Sequence, residues 1–257
     1  MGCIAQDRCD PRMLKSLCRR CRISTWSRVE SGVLGSKEFR VFISQSGTIL
    51  SPWHDVPLYV DRPDLLLNFV NEIPKGTRPK MEIARDEPSN PIKQDVAKNQ
   101  ELRYLKAGDM PFNYGALPQT WEDPDWVHPD TKLGGDSDPL DAIEISDSPL
   151  AIGEITPVRV IGILGLIDED ETDWKVIVKR TTEPNSADNP LAISSADLGK
   201  ITTWFRTYKL AEGALEENKL IFDGEMRNAD YAREIIDEAH ARWKSLRCTT
   251  KSDDRTL

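Results

Sequence analysis

Histidine is scarce in this chain, which restricts the kinds of active site that the sequence could form. Three histidines occur among 257 residues, at positions 54, 128 and 240. Sites that depend on pairs of histidines, such as many zinc centres, are therefore hard to assemble here. Cysteine is confined to the two ends, at positions 3, 9, 18, 21 and 248, whereas a disulfide framework would be distributed through the domain. This distribution indicates an intracellular, reducing compartment.

Positive charge and long apolar runs are also lacking. The 34 lysines and arginines are outnumbered by 43 aspartates and glutamates, which gives a net charge of -9 and a pI near 5.0. Because nucleic acids bind basic surfaces, nucleic acid is not an expected partner. No apolar run reaches the roughly 20 residues of a bilayer-spanning helix, so we expect no membrane partner. At 257 residues the chain is expected to form one large domain.

The first 33 residues differ in composition from the rest of the chain. They contain seven lysines and arginines but only three acidic residues. This bias is typical of a mitochondrial transit peptide, and a disordered extension fits it equally well. We therefore predict a basic extension at residues 1–33, either targeting or disordered, a domain at residues 34–246 and a polar tail at residues 247–257. The expected location is the cytoplasm, with the mitochondrion as the close alternative.

Short strand patterns precede two helix patterns. Alternating apolar and polar residues predict a hairpin that turns at Gly47 and strands at residues 66–73, 80–85, 158–167 and 174–178. Apolar residues that recur every three or four positions predict two helices, marked by Leu198, Ile201, Phe205 and Tyr208, and by Ala232, Ile235, Ile236, Ala239 and Trp243. This order indicates a mainly β fold with helices (α+β), in which the helices pack outside a small barrel.

Three aspartates lie within six residues of one another, at positions 136, 138 and 141. Two carboxylates about 4 Å apart repel by roughly 4 kcal/mol at an effective dielectric near 20. Such a group is either a solvated loop or a site that a hard cation neutralises. Gly134 and Gly135 precede it and an apolar alternation follows it, which is typical of a tight turn that leads into a strand. Anchoring at a strand end favours the metal site.

Carboxylates and cations recur together at other strand ends and strand faces. Glu72, Lys80 and Glu82 form one set; Asp168, Asp173 and Lys175 form another, and Tyr208 and Lys209 close the first helix. Carboxylates bind Mg²⁺ and its waters, while lysine and arginine in the same site require an anionic partner such as phosphate. Metal, carboxylates and cations together are typical of phosphoryl transfer, which needs no histidine nucleophile.

With these residues in place, the chain closely resembles the soluble inorganic pyrophosphatases of family I, in their eukaryotic form. Residues 136–141 match the family pattern Asp-x-Asp-Pro-x-Asp. Further matching blocks lie, in order, at residues 51–55, 72–74, 90–95, 113–124, 172–175 and 204–209. The resemblance covers about residues 38–246.

The resemblance implies a fold, an activity and a role for each matching residue. The implied enzyme hydrolyses inorganic pyrophosphate to two phosphates with several Mg²⁺ ions. It has a five-stranded OB-like barrel with flanking α-helices and is a homodimer. Asp138 matches the general base, and Lys80 and Tyr114 also match catalytic positions. Glu72 matches an acid that supports the metal ligands and does not itself bind a metal ion. The implied metal ligands are Glu82, Asp136, Asp141, Asp168 and Asp173, and the implied phosphate-binding residues are Lys80, Arg103, Tyr114, Lys175, Tyr208 and Lys209.

Departures from the family pattern keep an alternative open, and one of them is a trimmed loop at residues 181–192. The segment at residues 106–112 is shorter than in the family, and an active-site tyrosine of the family has no counterpart in it. Asp170 stands where the family usually has glycine. If that position requires a positive φ, aspartate tolerates it at a cost of roughly 1 kcal/mol. The alternative is a catalytically impaired paralogue that binds metal and pyrophosphate without efficient turnover.

Overall fold

The structure is a computed structural model that describes residues 26–181 and 192–253, with side chains up to residue 248. The first 25 residues of the predicted extension lie outside the described residues. In chain order the elements are β1 (Ser27–Ser31), β2 (Arg40–Gln45), β3 (Thr48–Leu50), β4 (Tyr59–Asp61), β5 (Leu66–Ile73), β6 (Met81–Ile83), β7 (Ile92–Gln94), β8 (Asn113–Ala116), β9 (Asp141–Glu144), β10 (Ile155–Asp168), β11 (Glu171–Arg180), α1 (Ser195–Glu212), β12 (Lys219–Leu220), a 3₁₀ turn (Ile221–Gly224), β13 (Arg227–Asn228) and α2 (Ala229–Asp253).

Five strands close into a ring. β5 pairs with β8, β8 with β9, β9 with β11, β11 with β10, and β10 again with β5. All these pairs are antiparallel except β9 and β11, which are parallel. The ring confirms the predicted five-stranded barrel, and its strand order is consistent with an OB-type fold. Closure pairs every strand of the ring on both sides, so it has no free edge.

The barrel strands form where apolar residues run long enough to be buried. All eight residues of β5 are buried. The 14-residue β10 is apolar along most of its length and bends at a register shift between Val160 and Gly162. Side chains at Phe69, Ile143 and Ile163 are almost fully buried. Burial of each such side chain stabilises the fold by about 1.5–3 kcal/mol.

A second sheet lies beside the barrel and contains β1, β2, β3, β6 and β7. β1 pairs with β2 along its whole length, from Ser27 opposite Ser44 to Ser31 opposite Arg40. The predicted extension at residues 1–33 therefore includes a strand of this sheet, so paired structure begins before the predicted boundary. β6 turns Met81 and Ile83 into the core and leaves Glu82 on the opposite face, as the alternation predicted.

Both predicted helices are present and pack against the barrel. Ser194 caps α1, since its side chain accepts a hydrogen bond from the Asp197 N–H, and Gly213 ends the helix with a φ of 109°. α2 buries Ala232, Ile235, Ile236 and Ala239. It continues to Asp253, so helix extends into the predicted tail at residues 247–257. Neither helix is long and apolar enough to cross a membrane over the described residues.

Candidate active site

One cleft of about 350 Å³ opens between the end of the barrel, β6 and the last turn of α1. Every residue that the sequence predicted for the site lines this cleft: Glu72, Lys80, Glu82, Arg103, Tyr114, Asp136, Asp138, Asp141, Asp168, Asp173, Lys175, Tyr208 and Lys209. The structure thus brings together the three acidic segments and the cations that the sequence placed far apart. Their chemical roles remain predictions at this point.

Backbone contacts hold the aspartate turn in place before β9 begins. A Cβ atom at Gly134 would lie 2.1 Å from the carbonyl oxygen of Pro124, so only glycine fits there. The Ser137 N–H donates to the Glu122 carbonyl at 2.9 Å, and Ser137 itself has a φ of 71°. The Asp138 N–H donates to Asp136 Oδ1 at 2.9 Å. These contacts fix where the aspartate side chains enter the cleft.

A carboxylate cluster adjoins the cleft: Asp136 and Asp173 line the cleft, and Glu122 is buried beside them. One oxygen each from Glu122, Asp136 and Asp173 lies within 4.8 Å of the others. Burial, followed by repulsion between neighbouring acids, raises the pKa of Asp136 to about 7. Burial likewise raises the pKa of Asp173 to about 8 and that of Glu122 well above its ordinary value. Asp173 contacts Lys175, yet the charged forms of all three acids stay disfavoured, so a further positive charge would stabilise the cluster.

The oxygen atoms of this cluster suit a divalent cation. Glu122 Oε1 accepts a hydrogen bond from the Trp174 N–H at 3.0 Å, while its other oxygen, Oε2, is buried without a hydrogen-bond partner. An unpaired buried carboxylate oxygen costs free energy unless a cation or donor reaches it. Hard carboxylate oxygens are the ligands that Mg²⁺ and similar ions prefer. Glu122, Asp136 and Asp173 therefore fit a metal ion.

Lys175 neutralises a second group of acids. This lysine, of which only 4% is exposed, donates hydrogen bonds to Asp141 and Asp173, and lies 2.9 Å from the Tyr114 hydroxyl. Burial alone would lower the pKa of Lys175, but Asp141 and Asp173 raise it well above its ordinary value. Burial and then Asp141 also raise the pKa of Tyr114, so its hydroxyl stays protonated and can donate. Lys175 is thus a permanent positive charge inside the cleft.

Asp95 holds two cations at the opposite wall. Lys80 Nζ lies 2.8 Å from Asp95 and 3.2 Å from Glu82, while Arg103 Nη1 lies 2.7 Å from Asp95. Burial alone would lower the pKa of Lys80, but the negative charges of Glu82 and Asp95 outweigh that effect. The pKa of Lys80 is therefore raised. Lys80 therefore stays charged, and both cations face the cleft.

The hairpin between β10 and β11 contributes Asp168. Lys209 donates a hydrogen bond to Asp168, and the Tyr208 hydroxyl lies 3.2 Å from the same carboxylate. The turn itself is formed by Glu169 and Asp170, with φ of 48° and 67°. Position 170 therefore does require a positive φ, which glycine adopts without strain.

Asp138 and Glu72 occupy different environments. Arg85 Nε lies 2.8 Å from Asp138 Oδ1. Burial raises the pKa of Asp138 to about 6 although Arg85 opposes the shift, so this carboxylate is largely ionised at neutral pH. Glu72 is buried and accepts the Ile83 N–H at 2.8 Å, and burial followed by Asp141 raises its pKa. Asp138 can therefore accept a proton, whereas Glu72 supports the backbone of β6.

Known proteins match this chain in sequence. The inorganic pyrophosphatase family model matches residues 69–244. The inorganic pyrophosphatase of Eremothecium gossypii is 41% identical over 236 residues, which cover 88% of this chain and 81% of that protein. The inorganic pyrophosphatase of Schizosaccharomyces pombe is 39% identical over 244 residues, which cover 91% and 83%. This chain belongs to the inorganic pyrophosphatase family.

Solved structures from the family agree with the fold. Type I inorganic pyrophosphatase from Toxoplasma gondii matches with a TM-score of 0.79 and 40% identity, over 86% of this chain and 100% of that one. A vacuolar soluble pyrophosphatase from Trypanosoma cruzi, truncated at its N-terminal domain and in complex with PPi, matches with a TM-score of 0.79 and 39% identity, over 96% and 97% of the two chains. Both likenesses extend over most of this chain.

Sequence reasoning missed several residues that the structure places in or beside the cleft. Glu122 and Asp95 are the principal ones, and Arg85 and Glu212 also contact predicted site residues. Glu122 and Asp95 lie in the matching blocks 113–124 and 90–95, which was the available signal. Of the predicted metal ligands, Asp136 and Asp173 share the cluster with Glu122. Asp141, Asp168 and Glu82 are each paired with a lysine.

Proposed function

We propose that this chain hydrolyses inorganic pyrophosphate to two phosphates with the help of a divalent metal ion. The observation that supports this most strongly is the polar cleft, which joins a buried carboxylate cluster to four cations: Lys80, Arg103, Lys175 and Lys209. A small, highly negative substrate that binds together with a metal ion would suit both groups: the metal ion would pair with the carboxylates and the substrate with the cations. Family membership agrees with this function, since relatives over most of the chain are named inorganic pyrophosphatases.

Mg²⁺ is the proposed cofactor, several ions per site, and Glu122, Asp136 and Asp173 would hold one. When bound, Mg²⁺ neutralises these acids and lowers the pKa of a coordinated water. The chemistry of carboxylate oxygens favours Mg²⁺ or a similarly hard ion over softer metals. We also propose Asp141, Asp168 and Glu82 as metal ligands. This proposal rests on the resemblance alone, because in the structure each of these carboxylates is paired with a lysine.

The proposed reaction distributes roles among the remaining residues. Asp138, ionised at neutral pH, takes a proton from the attacking water. At the same time the oxygen atom of that water forms a bond to one phosphorus atom of pyrophosphate. The bond from that phosphorus to the bridging oxygen breaks, and the leaving phosphate develops charge. Lys80, Arg103, Lys175 and Lys209 stabilise that charge, and the hydroxyls of Tyr114 and Tyr208 donate hydrogen bonds to phosphate oxygens.

The proposed activity is tested by phosphate release from pyrophosphate in the presence and absence of Mg²⁺, with Asp138→Asn beside the wild type. We expect hydrolysis that requires Mg²⁺ and falls by about 10² or more in the variant, because general-base catalysis is worth about 10²–10⁴. Equal hydrolysis by the variant would remove Asp138 from its role. The impaired paralogue has no support among the described residues; tight pyrophosphate binding without phosphate release would favour it.

Assembly and location are proposed from the resemblance and from the composition of the first 33 residues. A homodimer is proposed because the resemblance implies one, and light scattering of the purified protein would measure it. A cytoplasmic location is proposed, with the mitochondrion as the alternative that the basic residues 1–33 support. Imaging a reporter fused to those residues would decide between the two compartments.

A further inference from the structure

Glu212 is an acidic residue at the mouth of the cleft that the proposed mechanism does not use. It is the last residue of α1 and lines the same cleft as the site residues. A negative charge is unfavourable at a helix C-terminus, because the helix dipole already places partial negative charge there. Its side chain is nevertheless only 24% exposed and forms an ion pair with Arg103, which lies in the segment between β7 and β8.

Glu212 meets the edge of Arg103 that a phosphate would need. Arg103 Nη1 is held by Asp95 at 2.7 Å, whereas its Nη2 lies 3.7 Å from Glu212 Oε2. Phosphate binds arginine best through two parallel N–H donors of the planar fork. Asp95 engages Arg103 through Nη1, and Glu212 faces the Nη2 side of the same guanidinium. Glu212 therefore competes with phosphate for the Nη2 side of Arg103.

The neighbouring lysine does not neutralise Glu212. Lys209, three residues earlier on α1, contacts Asp168 and Glu169 instead. Gly213 ends the helix directly after Glu212, and its N–H donates to the Leu210 carbonyl, so the last turn is fixed in orientation. The acid is thus held at the mouth with Arg103 as its partner among the described residues.

We infer that Glu212 sets the affinity of the cleft for phosphate groups by competing for Arg103, and that it speeds release of the phosphate product. This inference rests on the proposed function. An anion that enters must displace Glu212 from Arg103, and the same acid returns to Arg103 as a phosphate leaves. Glu212 is therefore a specificity-determining residue that acts through Arg103 and does not touch the reacting atoms.

The test compares Glu212→Gln with Glu216→Gln, which removes the same charge from an exposed residue outside the cleft. Calorimetry with inorganic phosphate and steady-state hydrolysis of pyrophosphate are measured for both variants and the wild type at saturating Mg²⁺. We expect Glu212→Gln to lower the Kd for phosphate and the KM for pyrophosphate together, by about 3- to 10-fold. Glu216→Gln should leave both constants at the wild-type value.

Two further measurements test whether Glu212 acts through Arg103 or has another role. In an Arg103→Gln background the effect of Glu212→Gln should disappear, because Glu212 acts through that residue. Unchanged or weakened phosphate binding in Glu212→Gln would overturn the inference. A KM of Glu212→Gln that rises more steeply than the wild-type KM when Mg²⁺ is lowered below saturation would also overturn it, since that would make Glu212 a metal ligand. If the wild type fails to hydrolyse pyrophosphate, the proposed function fails, but the phosphate titrations still test Glu212.

Discussion

The acids of the cleft differ in the partner that each one meets. Glu122, Asp136 and Asp173 form the carboxylate cluster, in which burial raises every pKa. Asp141, Asp168 and Glu82 each meet a lysine, and Asp173 of the cluster shares Lys175 with Asp141. The cleft therefore has one group of acids that would gain from a further cation and another group that is paired with lysines, and Lys175 joins the two. That division is what a substrate carrying both metal and phosphate requires.

Replacing Glu122 by glutamine tests the cluster as a metal site. In Glu122→Gln the amide oxygen can still accept the Trp174 N–H, so we expect the fold to persist. The variant should bind Mg²⁺ about tenfold or more weakly, since it removes a charged oxygen from the cluster. Calorimetry gives the affinity, and the rise in Tm on adding Mg²⁺ should shrink in parallel.

The stability of the metal-free protein supplies a second readout for the same variant. Neutralising one of three mutually repelling buried acids should leave its Tm unchanged or higher. Glu225→Gln, an exposed acid outside the cleft, is the control for loss of a single charge. A lower metal-free Tm together with normal Mg²⁺ affinity would contradict a metal site at Glu122.

The β10–β11 hairpin is the element that delivers most of the chemistry. It positions Asp168 at the end of one strand and, on one face of the next, Asp173 and Lys175, while Trp174 is buried on the opposite face. The turn between the strands has two residues with positive φ, Glu169 and Asp170. Two-residue hairpin turns of this kind favour glycine, because side chains are strained there.

Substituting Asp170 by glycine should stabilise the hairpin. Glycine adopts the φ of 67° without strain, and the gain is reduced by the entropy that glycine loses on folding. We expect a net increase of about 0.5 kcal/mol in the free energy of unfolding, measured by urea denaturation. Asp147→Gly is the matched control, since Asp147 is exposed and has an ordinary φ. A gain in the control as large as in Asp170→Gly would refute the explanation.

At the scale of the whole molecule, long-range contacts join α2 to the loops beside the cleft. The Trp243 indole N–H donates to His54 Nδ1 at 2.9 Å, and His54 also stacks on Trp53. Burial, followed by repulsion from Arg247, lowers the pKa of His54 from 6.5 to about 4. The folded protein therefore holds His54 neutral, because a proton on Nδ1 would remove the acceptor.

This contact predicts how global stability depends on pH. Because the folded pKa lies below the unfolded pKa, the contribution of neutral His54 is complete above pH 6.5 and is lost as the pH falls towards 4. Relative to His54→Asn, which keeps an acceptor without the titration, the wild type should lose about 1 kcal/mol over this window, after discounting for partial exposure. Urea unfolding of both proteins from about pH 7 to about pH 4.5 measures the difference, and parallel curves would exclude the linkage.

Local patterns determined much of this protein before any contact was known. Side-chain periodicity predicted the strand at residues 66–73, the strands of the β10–β11 hairpin and both helices. Turn chemistry predicted that the aspartates at 136, 138 and 141 lie in a turn before a strand. Both signals depend only on neighbouring residues. The departure at Asp170 was also visible in the sequence. The roles of the named site residues came from the family resemblance, and the structure places all of these residues in one cleft.

Only the tertiary structure decided which of these groups meet. Closure of the ring brings Asp141 beside Lys175 through a parallel pairing of β9 and β11, and local sequence carries no signal for that pairing. Glu122 and Asp95 lie in segments without periodicity, and Glu212 reaches Arg103 only because α1 packs across the cleft. β1 reads as part of a polar extension, since its side chains are exposed and its pairing with β2 is made by backbone groups. Contacts between distant segments depend on how the barrel closes, which is a property of the packed chain as a whole.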